Sequence, residues 1–206
     1  MKDNWAAYWS STDNAFLEKI IQRYKIKKGY EKLLDAAPDI NSNSVILEVG
    51  AGKAWLSRIL RTKGCYTTAI DIEPGVVEAN KHAVDKYLVE DMYNLPFEDD
   101  SFDLVMSCGL IEHFSLENTQ KIVREMARVA KSVAAWYPTC GLEWKIFWYL
   151  RNLIGGSVVT DTYNHSLRDV IGIFSTAGLE VTKSTTIFFG GIFRYRFVYG
   201  KKQTEN

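Results

Sequence analysis

The stretch from Ser44 to Ala54, SVILEVGAGKA, constrains this chain more than any other. Val45, Ile46, Leu47 and Val49 form a short, mostly β-branched run without clear alternation, the pattern of a central parallel strand covered on both faces. Gly50 and Gly52 break the run. Trp55, Leu56, Ile59 and Leu60 then recur at helical spacing, and Gly64 is placed to cap that helix at its C-terminus. Strand, glycine loop and helix in this order make a ligand site. Lacking Cβ atoms, the loop admits a ligand against the main chain, and it presents N–H groups near a helix N-terminus.

Residue types around the loop separate two ligand classes. A dinucleotide fingerprint, GxGxxG, asks for a third glycine where helix and strand pack together. That position is Trp55, which argues against a nicotinamide cofactor. Glu48, two residues before Gly50, is instead an acceptor suited to a cationic amino group. On these residues the chain resembles the class I S-adenosylmethionine-dependent methyltransferases, whose first motif is an acidic residue followed by GxGxG; Ala54 stands where the last glycine often lies. The stretch Leu95–Val105, LPFEDDSFDLV, resembles the type 11 subgroup more specifically, with its Pro-Phe loop and Phe-Asp pair leading into the fourth strand.

Read in order, the remaining chain fits one domain. Residues 1–40 predict an N-terminal helical cap with an aromatic cluster at Trp5, Tyr8 and Trp9, and helices over 12–24 and 30–37. Residues 44–138 predict the cofactor core. Its second strand, Tyr66–Ile72, ends in Asp71, roughly twenty residues past the glycine loop, where a carboxylate accepts hydrogen bonds from ribose hydroxyls. A helix near 75–82 and a third strand at 87–89 lead to Asp91 and Met92. The fourth strand, Leu104–Cys108, breaks at Gly109. The helix 116–130 is N-capped by Ser115 and carries Arg124, Glu125 and Arg128 on a face read as solvated. The fifth strand spans Val133–Tyr137. Residues 139–165 predict a segment over the substrate, 166–200 a helix and a β-hairpin turning at Gly190 and Gly191. Within the former, LEWKIFWYLRNLI (142–154) is apolar nearly all round and admits three readings: a lid, a buried core helix, or a helix lying on a membrane surface.

The resemblance implies a seven-stranded, mostly parallel α/β sheet of order 3-2-1-4-5-7-6 with helices on both faces. It also implies S-adenosylmethionine as cofactor and S-adenosylhomocysteine as product. Glu48, Gly50 and Gly52 fall to the methionine end, Asp71 to the ribose and Asp91 with Met92 to the adenine, with Ala51, Ile72 and Ser107 as further cofactor-binding residues. For the acceptor, Tyr8, Trp9, Trp144 and Tyr163 are candidates. The aromatic richness of these segments suggests a small aromatic or lipophilic acceptor. The sulfonium is already an activated leaving group, so a general base is optional. If one is used, His113 and His165 are the candidates, with a loop-holding histidine as the alternative role for His113. A non-catalytic cofactor-binding subunit supporting a partner protein is the rival reading.

Composition narrows the partners. Lysine plus arginine and aspartate plus glutamate are 25 each, so no global field attracts a polyanion, and nucleic acid is not expected. Three cysteines without CxxC spacing suit reduced thiols and no metal site. No signal peptide or membrane span is read, which points to the cytoplasm, with peripheral membrane contact left open through residues 142–154. The sequence is silent on oligomeric state.

Overall fold

A computed structural model of the chain describes residues 27–139, 141–144, 146, 149, 162–189 and 193–203. The expected helix over 12–24, with Tyr8 and Trp9, lies outside the described residues, as do residues 150–161 of the expected substrate segment. Residues 27–36 are helical. After them come β1 (Val45–Val49), α1 (Trp55–Thr62), β2 (Tyr66–Asp71), α2 (Pro74–Asn80), β3 (Lys86–Val89), β4 (Leu104–Cys108), a 3-10 turn at Ile111–His113, α3 (Leu116–Val129), β5 (Ser132–Pro138), α4 (Leu167–Thr176), β6 (Leu179–Phe189) and β7 (Phe193–Lys202). The seven strands form one sheet of order 3-2-1-4-5-7-6. Pairing is parallel from β3 to β5 and antiparallel through β7 and β6.

Alternation along the central strands sends side chains into two cores. Leu47, Val49, Val105, Val133 and Ala135 face α3 and α4, meeting Ile122, Val123, Met126, Val170 and Phe174. Ile46, Leu104, Met106, Ala134 and Trp136 face the opposite side, meeting Leu33, Leu56, Leu60 and Tyr199. Both faces of each central strand are therefore apolar, which is why β1 reads as a continuous run in the sequence.

Polar contacts fix the ends of the sheet. Asp103 accepts from the Val45 N–H at 2.9 Å and pairs with Lys131 at 2.8 Å, joining the start of β1 to the start of β4. Arg128 departs from the expected solvated face. Its guanidinium donates to the Leu95 and Phe97 carbonyls at 2.9 and 2.8 Å and pairs with Glu125 and Asp99, each at 2.9 Å. Glu125 in turn accepts from the Leu95 N–H at 3.0 Å. The hydrogen bonds to Arg128 hold the Glu125 carboxyl below its ordinary range. The Pro-Phe loop is thus fastened to α3, with Phe97 packed edge-on against Phe102. Ser115 caps α3 as expected, accepting from Asn118 N–H at 3.3 Å.

Candidate functional site

Strand order reverses between β1 and β4, so the loops after these strands diverge and leave a crevice at their carboxyl ends. The loop after β1 depends on its glycines. Gly50 and Gly52 have φ of +60° and +54°, a region that side chains disfavour, and a Cβ on Gly50 would strike Leu110 from the loop after β4. Ala54 adopts the same left-handed conformation at φ 50° and is fully buried. The alanine therefore preserves the backbone path of the missing glycine. Trp55 does not occupy the helix–strand contact expected of it: the indole is 40% exposed, beneath the Arg58 guanidinium at 5.1 Å. Ala54 fills the packing position instead, so bulk at Trp55 carries no argument about ligand class.

Ala54, as the N-cap of α1, has no side chain with which to cap it. Glu48 supplies the missing acceptor from β1. Its carboxylate is 2% exposed and accepts from the Ser57 N–H at 2.9 Å, at the third position of the helix. Burial pushes the Glu48 carboxyl up to about 7, against the pull of Ser57, the Leu56 N–H and Arg58. The amino-group acceptor expected from the sequence is thus already engaged with the first turn of α1.

Gly52 is held from both sides. Its N–H donates to Asp71 Oδ2 at 2.9 Å, and its carbonyl accepts from the Tyr87 hydroxyl at 2.5 Å. Asp71 Oδ1 also accepts from the Glu73 N–H at 3.1 Å. Burial raises the Asp71 carboxyl above its ordinary value despite these donors, and it drives the Tyr87 phenol upward as well, helped by the charges of Asp71 and Glu48. The carboxyl end of β2 and the glycine loop therefore form one hydrogen-bonded unit. Ile72, next in line, is 57% exposed. Beyond β3, Asp91 is exposed and accepts from the Tyr93 N–H at 2.9 Å, while Met92 packs at the edge of the α3 core. Ser107 on β4 is 1% exposed, and its hydroxyl has no hydrogen-bond partner among the described residues.

These groups suit S-adenosylmethionine. The glycine loop after β1 and carboxylates beyond the ends of β2 and β3 stand in order along one edge of the sheet, an order that suits a ligand with an aminoacyl end, ribose hydroxyls and an adenine amine.

On the acceptor side the candidates divide. His165 is 3% exposed, and its Nε2 lies 3.1 Å from the Ile111 carbonyl and 2.9 Å from that of Phe114. Two carbonyl acceptors require a donor, so Nε2 carries a proton and His165 clamps the turn after β4; the base role expected of it has no place at that atom. Tyr163 stacks on His165 with centroids 6.0 Å apart, is 48% exposed, and donates its N–H to the Glu112 carbonyl at 2.6 Å. His113 is largely buried, with Nε2 3.8 Å from Glu112 Oε1. Trp144 is inside the protein, edge-on against Tyr195, which stacks on Trp136. It belongs to the core on the α1 face, so packing rather than substrate contact accounts for it. Leu142, Ile146 and Tyr149, spaced along the same helical stretch, are 71%, 51% and 66% exposed, so a wholly buried helix does not describe this segment.

Tyr87, which holds Gly52, and Glu112, buried in the turn after β4, carried little signal in the sequence. Tyr87 sits in a four-residue strand with no spacing to mark it. Glu112 carried one signal, an acidic residue directly after the apolar pair Leu110–Ile111 in GLIEHF.

The sheet order is that of the class I methyltransferase fold. Residues 47–134 match the family model described as a methyltransferase domain. The matched stretch runs from β1 into β5 and contains the glycine loop, Asp71 and Asp91, so the likeness to methyltransferase domains covers the candidate site. Magnesium protoporphyrin IX methyltransferase from Synechocystis PCC 6803, solved with bound SAH, shares the fold at TM-score 0.71 and 15% identity, covering 92% of this chain and 88% of that one. Demethylmenaquinone methyltransferase of Corynebacterium efficiens is 35% identical over 94 residues, 45% of this chain and 40% of the relative. A probable tRNA methyltransferase 9B of Mus musculus is 29% identical over 103 residues, 50% of this chain and 23% of the relative. The chain spans under half the length of these curated relatives. Among the described residues no helix is long and apolar enough to cross a membrane.

Proposed function

We propose that this protein transfers the methyl group of S-adenosylmethionine to a small acceptor by in-line displacement, leaving S-adenosylhomocysteine. The single observation that carries this reading is the alignment of the Gly50–Gly52 loop, Asp71 and the Asp91–Met92 pair beyond the carboxyl ends of the adjacent strands β1, β2 and β3. When bound, the cofactor supplies a sulfonium, which needs no further activation as a leaving group. The chain's own work is positional. The Gly50–Gly52 backbone takes the methionine end, with Glu48 fixing the helix turn behind it and Tyr87 fixing the carbonyl of Gly52. Asp71 and Ile72 would hold the ribose, and Asp91 and Met92 the adenine. Ser107 and the 109–115 turn wall the β4 side. Tyr163 borders the acceptor, and His113 is the remaining candidate to hold a departing proton.

A small, partly apolar acceptor is supported by the exposed apolar residues Leu142, Ile146 and Tyr149 and by the Corynebacterium relative, named as a demethylmenaquinone methyltransferase. The mouse relative, named as a probable tRNA methyltransferase, supports RNA as the second reading. The balance of 25 basic and 25 acidic residues opposes it. A cytoplasmic setting is favoured by Cys65, a buried thiol donating to the Asn41 carbonyl at 3.2 Å.

The test is transfer of labelled methyl from S-adenosylmethionine into fractionated extract of the source organism. Label in small molecules supports the proposal, and label in RNA transfers it to the second reading. A protein that binds the cofactor and moves no label would instead be a non-catalytic subunit.

A further inference from the structure

Glu112 lies in the 3-10 turn directly beyond β4 and is 3% exposed. Among the described residues its Oε2 has no hydrogen-bond partner, and its Oε1 is 3.8 Å from His113 Nε2, beyond hydrogen-bond reach. Leaving a carboxylate oxygen buried and unpaired costs several kcal/mol, which a leucine or methionine of similar volume would avoid. The position is not a slack one. The turn is tied down by the Tyr163 N–H on the Glu112 carbonyl at 2.6 Å, by His165 Nε2 on the carbonyls of Ile111 and Phe114, and by the Thr119 hydroxyl on Ile111 at 3.4 Å.

Its place in the fold selects the ligand. The donor groups of the cofactor are matched by the ends of β1, β2 and β3. Glu112 stands beyond β4, two residues after the Leu110 side chain that packs over Gly50. It therefore lies across the crevice from those groups, toward β5, against which the 111–113 turn packs. We infer that Glu112 is the polar recognition group for the methyl acceptor, taking a hydrogen bond from a protic group, hydroxyl or ammonium, that the acceptor carries. The inference rests on the methyltransferase reading above. It narrows the acceptor class to molecules that present a donor beside an apolar body, with Tyr163 covering that body. Glu112 binds and orients in this role; the proton released on methylation leaves by another route.

The experiment uses the full chain, wild type and the variants Glu112→Gln, Glu112→Asp and Glu112→Leu. Calorimetric titration with S-adenosylhomocysteine reads the cofactor site, thermal melting reads the fold, and initial rates of labelled methyl transfer over a dilution series of active extract fraction read the acceptor. Glu112→Gln should bind S-adenosylhomocysteine within twofold of wild type and melt no lower. Its apparent KM for the fraction should rise about tenfold for a hydroxyl donor, since glutamine keeps an acceptor oxygen, and up to about a hundredfold for an ammonium. Glu112→Leu should lose both classes, and Glu112→Asp should recover part of the loss. Wild-type KM in Glu112→Gln and Glu112→Leu overturns the inference, as does a lower melting temperature in both, which would assign the carboxylate to folding. Wild type that binds S-adenosylhomocysteine but transfers no label refutes the proposed activity itself, and the inference falls with it.

Discussion

Replacing Glu48 by glutamine tests the site where sequence and structure diverge most. The Glu48 carboxyl is raised from an ordinary 4.5 to about 7, chiefly by burial. In the unfolded chain the group gives up its proton near 4.5, while the folded protein keeps it until about pH 7. Between these values the folded state binds more protons, so stability is full below about pH 4.5 and falls as pH rises toward 7. The interval corresponds to roughly 3 kcal/mol. Glutamine cannot ionise, yet its amide oxygen can still accept from the Ser57 N–H. Its extra NH2 must find a partner, at a cost of about 1 kcal/mol. The variant should thus be about 2 kcal/mol more stable than wild type at pH 8 and slightly less stable at pH 5. Urea unfolding followed by tryptophan fluorescence at pH 5, 6, 7 and 8, without ligand, measures this directly. Parallel wild-type and variant stabilities across that range would refute the reasoning. The same variant decides whether Glu48 also meets the amino group of the cofactor. Charging the carboxyl to receive a cation would weaken wild-type S-adenosylhomocysteine binding by up to about tenfold per pH unit below 7, and Glu48→Gln would lose that dependence. A role confined to the helix turn leaves both affinities flat with pH.

Asp71→Ala removes the acceptor for Gly52 and Glu73 along with the proposed ribose contact, and should weaken S-adenosylhomocysteine binding about tenfold to a hundredfold with far-UV circular dichroism preserved; unchanged calorimetric affinity contradicts the assignment. Tyr87→Phe leaves the Gly52 carbonyl without its hydroxyl donor and should cost about 1 kcal/mol of stability and a severalfold loss of affinity, read by melting and titration on the same samples. Equal values for both proteins would show that the loop holds its shape without the phenol. Arg128→Ala frees the Pro-Phe loop from α3 and should lower stability by about 2 kcal/mol in urea, with cofactor affinity of the folded protein unaltered; a loss within 0.5 kcal/mol, on the order expected of an exposed ion pair, would return Arg128 to the solvated face.

The chain's local instructions were sufficient for its architecture. A β-branched run, two glycines and an apolar stripe at helical spacing specify strand, loop and helix because each signal acts over a few residues. Repeating such units enforces right-handed crossovers and parallel pairing. Asp71 was legible for the same reason, since a carboxylate ending the second strand must arrive beside the first loop. What the tertiary structure decided was which partners those side chains take. Glu48 became a cap because Ala54 could not be one, and only the packing of α1 on β1 brings Ser57 to it. Tyr87 reaches Gly52 across 35 residues, and His165 reaches the Ile111–Phe114 turn across more than 50. Arg128 turned inward because the 95–99 loop folds back across α3. None of these pairs has a period or spacing in the chain. They exist because parallel strands return to the same edge of the sheet, and at that edge the sequence supplies the chemical groups while the fold chooses their neighbours.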